Sequence, residues 1–195
     1  MDSLLMTIHG FKTKDIKGAS ILKKMTNGND GDATVPVSSV EWEVTRNVTL
    51  DVGNGNNSDT GELTGGTLVV TKPVDGLTPA INTILFKPKK GRVIDFIYGT
   101  PETDGSGFVR QLVLTVAEAK IIDYKVTTSG NDEEGKIPME EFTIQFSQLV
   151  SQYFPTLSDG KLKSPTADMV SYDFGKGVLE AGSKIGSKVK EKNYG

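Results

Sequence analysis

The stretch GGTLVVTKPVDGLTPAINTILF, residues 65–86, predicts a β-strand that passes through a tight turn directly into a helix. Residues 68–70 form an aliphatic and β-branched run behind two flexible glycines, which is a typical strand pattern. Pro73 cannot donate a ladder hydrogen bond, and the Asp75-Gly76 pair favours a turn. We therefore expect the strand to end near Pro73 and the chain to turn just after it.

The residues after this turn predict one helix. Thr78 can act as an N-cap, and Pro79 suits the first helical position. Ile81, Ile84 and Leu85 are spaced at i, i+3 and i+4, so they share one helical face. This is the only helix of useful length that the sequence predicts before its C-terminal tail.

Two segments alternate with a period of two residues, as half-buried strands do. In residues 35–50, Val40, Trp42 and Val44 share one face, which we expect to point into the core because it carries the only tryptophan. Residues 140–150 give the cleanest alternation in the chain. Both segments therefore predict strands with one buried face.

The remaining strand-like segments are short and are separated by turns rich in Gly, Asp, Asn and Pro. They are residues 4–8, 92–98, 108–116, 121–127 and 169–174, with a brief helical turn expected at 116–119. About eight short strands accompany a single helix. The predicted fold class is therefore mainly β, a small antiparallel β-barrel or sandwich with one flanking α-helix.

We expect one domain, residues 1–174, followed by an appendage. Residues 51–66 hold five glycines and three asparagines and cannot pack a core of their own. A loop of this length inside a compact domain is usually functional or disordered, and both readings stay open here. Residues 175–195 are rich in Gly and Lys, so we expect a mobile C-terminal tail.

Composition narrows the classes of function. The 195-residue chain has one histidine, no cysteine and a formal net charge of −3. The weakly acidic balance argues against a nucleic-acid partner, and the lack of cysteine excludes disulfides and thiolate metal sites. No run reaches the roughly 18 apolar residues of a membrane span, and the N-terminus does not read as a classical signal peptide.

The sequence predicts no catalytic residues. His9 ends a predicted strand, and Ser106 lies in a glycine turn rather than in a nucleophile elbow. The carboxylate pairs at 133–134 and 140–141 lie in or beside a turn, where solvated charge is the expected explanation. The cations of residues 87–92 are likewise expected to form a solvated turn after the helix.

A calcium loop is the nearest approach to a metal site. Asp30, Asp32, Thr34 and Glu41 fall at positions 1, 3, 5 and 12 of such a loop, but Val35 stands where a glycine is needed. We therefore predict no metal and no cofactor.

Several motifs, taken in order, resemble the Hcp family, the tube-forming protein of bacterial type VI secretion systems. LVVTKPVDGLTP at 68–79 is similar to the family's strand, TK-x-x-D and helix passage. AKIIDY at 119–124 and EEFTIQF at 140–146 resemble two further family strands, and the resemblance covers about residues 3–174. DIKGAS at 15–20 departs from the family's opening by lacking its glutamate.

The resemblance implies a non-catalytic subunit that assembles into six-membered rings stacked as a hollow tube. It implies a contractile sheath, a VgrG-type spike and lumen-borne effectors as partners. The protein would assemble in the bacterial cytoplasm and then be secreted or injected without a cleaved signal peptide. The family's long hairpin falls at residues 47–66, so we expect the ring-stacking loop there. Its candidate residues are Asn47, Thr49, Leu50, Asp51, Val52, Asn54, Asp59, Glu62 and Leu63.

Other classes remain open at this point. The tail-tube protein of a phage or of another contractile particle shares the same fold logic. A monomeric β-barrel binding module would show a concave apolar pocket and no rings. An enzyme made of an Hcp domain with a toxic extension is disfavoured, because a tail of about 20 residues is too short to fold alone.

Overall fold

The fold is given by a computed structural model, which describes residues 3–12, 32–46, 63–87, 91–101, 108–128, 137–156 and 168–179. The strands are β1 Ser3–Lys12, β2 Asp32–Pro36, β3 Ser39–Arg46, β4 Leu63–Pro73, β5 Arg92–Pro101, β6 Phe108–Thr127, β7 Met139–Gln145, β8 Gln148–Tyr153, β9 Asp168–Asp173 and β10 Val178–Leu179. The helix α1 spans Thr78–Phe86. The prediction of a mainly β fold with one flanking helix is confirmed.

All strand pairs are antiparallel and belong to one connected sheet. One path of seven strands runs β10-β9-β8-β6-β5-β1-β2, and β7, β4 and β3 form a branch that leaves this path at β6. The branch exists because β6 is 20 residues long: its first part pairs with β5 and β8, and its last part pairs with β7. Among the described strands the pairing does not close into a barrel, since β2 and β3 do not pair with each other.

The chain passes from one part of the sheet to the other at a corner between β2 and β3. The Val37 N–H donates to the Leu4 carbonyl at 2.9 Å, and the Ser38 N–H donates to the Thr71 carbonyl at 2.8 Å. This corner divides the segment that the sequence predicts as one strand, residues 35–50. A second corner at Phe146 and Ser147 separates β7 from β8 in the same way. These two divisions are one reason why the described residues form ten strands and not the predicted eight or so.

The largest of three apolar clusters among the described residues contains side chains from both parts of the sheet. Met6, Phe96 and Leu114 reach it from the longer path, and Leu68 and Ile144 reach it from the branch. The helix completes this core with its buried isoleucines. Burial of apolar area by all three parts therefore holds the two portions of the sheet and the helix together.

The prediction of a helical turn at residues 116–119 is wrong, because these residues belong to strand β6. Glu118 has a positive φ of 52°, and the β5–β6 register shifts between Arg92 and Ile94. An irregularity of this kind bends a strand and increases its twist. The bend lets one strand serve both parts of the sheet.

Trp42 does not become a core residue, which corrects the sequence-based prediction. It lies on the core side of β3, since it pairs with the buried Leu68, yet 49% of its surface is exposed. The cause is the position of β3, which among the described strands pairs only with β4. The alternation therefore predicts the correct face but not the depth of burial.

The pairing extends beyond residue 174, where we expected the domain to end. Val178 pairs with Asp173 and Leu179 with Tyr172, so β10 continues the sheet. The remainder of the predicted tail, residues 180–195, lies outside the described residues, and its mobility stays a prediction.

Candidate functional site

The most concentrated polar site in the described residues lies where β4 passes into the helix. Lys72 on β4 and Glu140 on β7 are direct cross-strand partners, with both side chains fully buried. The Lys72 Nζ lies 2.6 Å from the Glu140 Oε1. Charges buried in this way are tolerated only when they are paired and hydrogen-bonded.

The Lys72 ammonium has an acceptor for each of its three protons. Besides Glu140, it lies 2.8 Å from the Asp75 Oδ1 and donates to the Pro73 carbonyl at 2.7 Å. Asp75 in turn accepts the Leu77 N–H at 2.8 Å. The turn between strand and helix is therefore organised around the buried ammonium.

Glu140 is satisfied from two further elements. The Thr78 hydroxyl donates to the Oε1 at 3.0 Å, and the Tyr124 hydroxyl donates to the Oε2 at 2.7 Å. Thr78 opens the helix and Tyr124 lies on β6, so the carboxylate joins α1, β4, β6 and β7. We refer to Lys72, Asp75, Thr78, Tyr124 and Glu140 as the junction cluster.

Thr78 does not cap the helix as the sequence predicts. The N-cap is Leu77, which has no side-chain cap, and Thr78 is the first helical residue. The Thr78 hydroxyl accepts the Asp75 N–H at 3.1 Å while it donates to Glu140. The Asp75 carboxylate accepts the Leu77 N–H, and the Asp75 carbonyl accepts the Thr78 N–H at 3.1 Å.

Tyr124 is held in its protonated form. Burial, the hydrogen bond to Glu140 and the negative charge of Glu140 raise the pKa of Tyr124 to about 12, and a hydrogen bond with Asn82 partly opposes the rise. Each cause that raises the pKa disfavours the tyrosinate. Tyr124 is therefore a permanent donor to Glu140 at neutral pH.

The helix lies against the core by its predicted face. Ile81 and Ile84 are buried, Leu85 is partly buried and Pro79 is exposed. Phe86 at the end of the helix is 80% exposed. The charged pair of the junction cluster is buried, and the hydrogen bond from the Thr78 hydroxyl to Glu140 fixes the start of this helix on the sheet.

The described residues contain no group of three or more His, Asp or Glu side chains that could hold a metal ion. The residues of the rejected calcium pattern that the structure describes lie on two different strands, with Asp32 and Thr34 on β2 and Glu41 on β3. Within the same part of the chain, none of the helices is long and apolar enough to cross a membrane.

The predicted ring-stacking loop joins two paired strands. Arg46 at the end of β3 and Leu63 at the start of β4 are Cα partners, so the chain between them connects adjacent strand ends. Residues 63–66 belong to β4, which shortens the predicted loop of residues 47–66. The other eight candidates lie outside the described residues: Asn47, Thr49, Leu50, Asp51, Val52, Asn54, Asp59 and Glu62.

Three described strands, β2, β3 and β10, have a neighbour on only one side within the described sheet. An unpaired strand edge presents backbone donors and acceptors that another chain can pair with. Large apolar side chains are also exposed on β6, β8 and β9, where Leu112 pairs with Tyr153 and both are exposed, as is Val170. The sequence does not predict this exposed apolar surface, because Leu112 lies in the same apolar run of β6 as the buried Val113 and Leu114.

Comparisons with known proteins identify the class. The family model described as "Type VI secretion system effector, Hcp" matches residues 6–153, which run from β1 through β8. A search of curated protein sequences finds no match. The fold and the family match define a β-rich component of a type VI secretion system. The chain belongs to the Hcp family.

Solved structures share the fold at low sequence identity. A structure described as a type six secretion system protein has 10% identity and a TM-score of 0.69, covering 92% of this chain and 100% of that one. Hcp1 from Salmonella typhimurium has 15% identity and a TM-score of 0.59, covering 92% and 99%. A type VI secretion system effector from Yersinia pestis has 12% identity and a TM-score of 0.55, covering 87% and 98%.

Sequence reasoning missed the junction cluster. It treated Glu140 and Glu141 alike as solvated charges, which is right for the exposed Glu141 and wrong for Glu140. The signal was present in the alternation of β7, since Glu140 shares its parity with the buried Phe142 and Ile144. Lys72 shares its parity with Leu68 and Val70 in the same way.

Proposed function

We propose that this chain is a structural tube subunit of a type VI secretion system, with no catalytic role. It forms hexameric rings that stack into a hollow tube, which a contracting sheath expels together with a VgrG-type spike and effectors in the lumen. The protein assembles in the bacterial cytoplasm and is then secreted or injected. The observation that carries the proposal is the family match over residues 6–153, which spans eight of the ten described strands.

The exposed strand edges and apolar side chains support an assembly role. β2, β3 and β10 each lack a second neighbour among the described strands, and Leu112, Tyr153 and Val170 place exposed apolar area on the same sheet. Contiguous exposed apolar side chains are typical of surfaces that contact another protein. A ring buries such surface in a heterologous contact that closes on itself.

Negative-stain electron microscopy of the purified protein tests the ring directly. We expect annular particles with sixfold symmetry, some of them stacked. Single small particles at every concentration would favour the alternative of a monomeric binding module. Rings that associate only with the sheath of another contractile particle would favour the alternative of a phage-like tail tube.

In the proposed tube, the loop between β3 and β4 makes the contact between stacked rings. Replacement of residues 49–60 by a short Gly/Ser linker keeps the Arg46–Leu63 pair that closes the hairpin. We expect this variant to form single rings but not stacks. A matched control replaces residues 102–107, which join the paired Pro101 and Phe108 at another hairpin, and it should stack normally.

Stacks that persist in the first variant would contradict the role of this loop while leaving the ring intact. Loss of stacking in both variants would show that stacking depends on hairpin integrity in general. Loss of rings in the first variant alone would assign the loop to the ring contact instead.

A further inference from the structure

An apolar face of the sheet continues outward from the core onto β8 and β9. Leu112 of β6 pairs with Tyr153 of β8. Ser151 of β8 pairs both with the buried Leu114 and with Val170 of β9. Directly opposed residues of paired strands share one face of a sheet, so Tyr153 and Val170 lie on the same side as the core residue Leu114.

The same face extends onto β10. Leu179 pairs with Tyr172, which pairs with Leu149, which pairs with the buried Val116. Leu179 therefore also lies on the core side of its strand. We refer to Leu112, Tyr153, Val170 and Leu179 together as the β8–β10 face.

The β8–β10 face is open to solvent. Among the described strands, β8, β9 and β10 pair only with β6 and with one another, and the branch is attached to the last part of β6. Tyr153, Val170 and Leu179 are each more than half exposed. A contiguous apolar surface of this kind is typical of a contact with another protein.

A second exposed apolar surface lies on β3. This strand is the last one of the branch, as β10 is the last one of the path of seven strands. Trp42 pairs with the buried Leu68 on the core side, yet nearly half of its surface is exposed. β2 also has one neighbour in the described sheet, but it offers no comparable side chain because its residues 32–35 are buried.

The charges beside these two surfaces have opposite sign. Glu41 and Glu43 are exposed on the outer face of β3. Lys176, two residues before β10, pairs with a buried carboxylate and keeps 66% of its side chain exposed. The sequence after β10, residues 180–195, adds four lysines against two glutamates, while Asp168 at the start of β9 is an exposed acid. Opposite charges favour contact between the two surfaces over contact between two copies of either one.

We propose that the β8–β10 face of one copy binds the Trp42 side of β3 in the next copy, and that this contact joins the subunits of the ring. The inference rests on the proposed hexamer. A closed ring needs a heterologous contact, in which two different surfaces of the chain meet. β10 and β3 each have one neighbour among the described strands, so their outer backbone groups are placed to pair in the same contact.

Trp42 reports this contact directly, because it is the only tryptophan of the chain. Its half-exposed indole meets water in a single copy, and the β8–β10 face of a neighbour would remove it from water. We expect the emission maximum of the wild-type chain to move to shorter wavelength, and quenching by acrylamide to fall, over the protein concentrations at which sedimentation shows hexamers forming.

Two variants each break one surface. Val170→Glu places a charge at an exposed position of the β8–β10 face, and Trp42→Thr removes the indole from β3. Each variant should sediment as a single chain at concentrations where the wild-type chain is hexameric. Ile137→Glu is a matched control, because Ile137 is also an exposed aliphatic residue but precedes β7, which has a neighbour on both sides. It should still form hexamers.

A mixture of the two variants tests whether the two surfaces meet. Val170→Glu retains an intact β3, and Trp42→Thr retains an intact β8–β10 face. Because Trp42→Thr has no tryptophan, the emission of the mixture comes from Val170→Glu alone. Titration of Trp42→Thr into Val170→Glu should shift the emission to shorter wavelength and give a mass of two chains, without rings. The double variant Val170→Glu/Trp42→Thr, which also lacks tryptophan, should cause no shift.

A third variant tests β3 without changing a buried side chain. Glu41→Lys/Glu43→Lys reverses two exposed charges, so its hexamers should dissociate at low salt and re-form in part as salt screens the repulsion. It decides the role of β3 if Trp42→Thr does not fold.

Hexamers of wild-type stability in Val170→Glu or Trp42→Thr would overturn the assignment of these surfaces and leave the ring itself standing. A mixture of the two folded variants that shows neither a shift nor a two-chain mass would overturn it as well. A wild-type chain that stays single at every concentration would contradict the proposed ring, and this inference with it.

Discussion

Lys72 and Glu140 lie 68 residues apart in the chain, and in the fold their charged ends meet at 2.6 Å with no solvent exposure. The two residues are cross-strand partners on the core side of β4 and β7. The lysine donates to the Pro73 carbonyl in the turn before the helix. The glutamate accepts hydrogen bonds from the hydroxyls of Thr78, the first helical residue, and Tyr124 of β6. One ion pair therefore fixes how the helix sits on the sheet.

Removing one member of this pair should be severely destabilising. Lys72→Met leaves the Glu140 charge buried without a cation, and we expect a loss of about 3–5 kcal/mol in the free energy of unfolding. The double variant Lys72→Met/Glu140→Leu removes both charges and should lose less than either single variant. Urea unfolding followed by circular dichroism measures the free energies of unfolding of Lys72→Met, Glu140→Leu and the double variant.

The exposed cross-strand partners Lys125 on β6 and Glu141 on β7 provide a control on the outer face of the sheet. Lys125→Met should change the free energy of unfolding by at most about 1 kcal/mol, since solvent screens exposed charges. Equal losses for Lys72→Met and Lys125→Met would contradict the role assigned to burial.

Tyr124 should ionise late as the pH rises. Burial, the hydrogen bond to Glu140 and the Glu140 charge raise its pKa to about 12, above the value of about 10 in an unfolded chain. The folded state thus holds its proton longer, so this contribution to stability is complete below about pH 10 and is lost as the pH approaches 12. Tyrosinate absorbance should therefore show a late step that belongs to Tyr124.

Tyr124→Phe should remove the late step and cost about 1 kcal/mol, because Glu140 loses one donor. A late step that survives in this variant would show that another tyrosine is the protected one.

Asp173 should make the end of β9 sensitive to acid. Burial acts to raise the pKa of Asp173, but hydrogen bonds from Lys176 and Gln148, together with the Lys176 charge, outweigh it and lower the pKa below its usual value. A carboxylate with a lowered pKa stabilises the fold above its ordinary pKa near 4, and the contribution disappears as the pH falls through the folded value.

Asp173→Asn should therefore flatten the acid side of the stability profile, measured as the urea midpoint against pH. Lys176→Met should shift the acid-side loss to higher pH by removing one of the favourable partners. An unchanged acid-side profile in both variants would contradict this assignment.

Two neighbouring glycines of β4 should differ in their tolerance of a methyl group. A Cβ at Gly66 would lie 2.6 Å from the buried Phe146 ring and 3.2 Å from the Glu43 carbonyl, whereas a Cβ at Gly65 meets nothing within 4 Å. We expect Gly66→Ala to cost about 1–3 kcal/mol through overpacking and Gly65→Ala to be neutral or slightly stabilising. Thermal unfolding of the two variants compares them directly, and equal melting temperatures would argue against the close contact.

Local pattern was sufficient for the elements whose stability is local. The i, i+3, i+4 spacing of Ile81, Ile84 and Leu85 predicts the face of the helix that lies on the core. The alternation around Phe142 and Ile144 predicts which face of β7 is buried. In both cases the residues that determine the element lie within a few positions of one another.

The features that sequence reasoning missed depend on distant partners. Glu140 reads as solvated until Lys72 is placed beside it, and His9 reads as an isolated strand end until Asp32 and Asp95 approach from two other strands. Bends such as the one at Glu118 are set by the need of β6 to pair on both parts of the sheet. The local periodicity of the sequence does not show that β6 pairs with both parts of the sheet.

The mass of the purified protein in solution tests the central claim most directly. Sedimentation equilibrium over a range of protein concentrations should give six times the chain mass of 21.0 kDa, or multiples of that value where rings stack. A mass of one chain at every concentration would contradict the account.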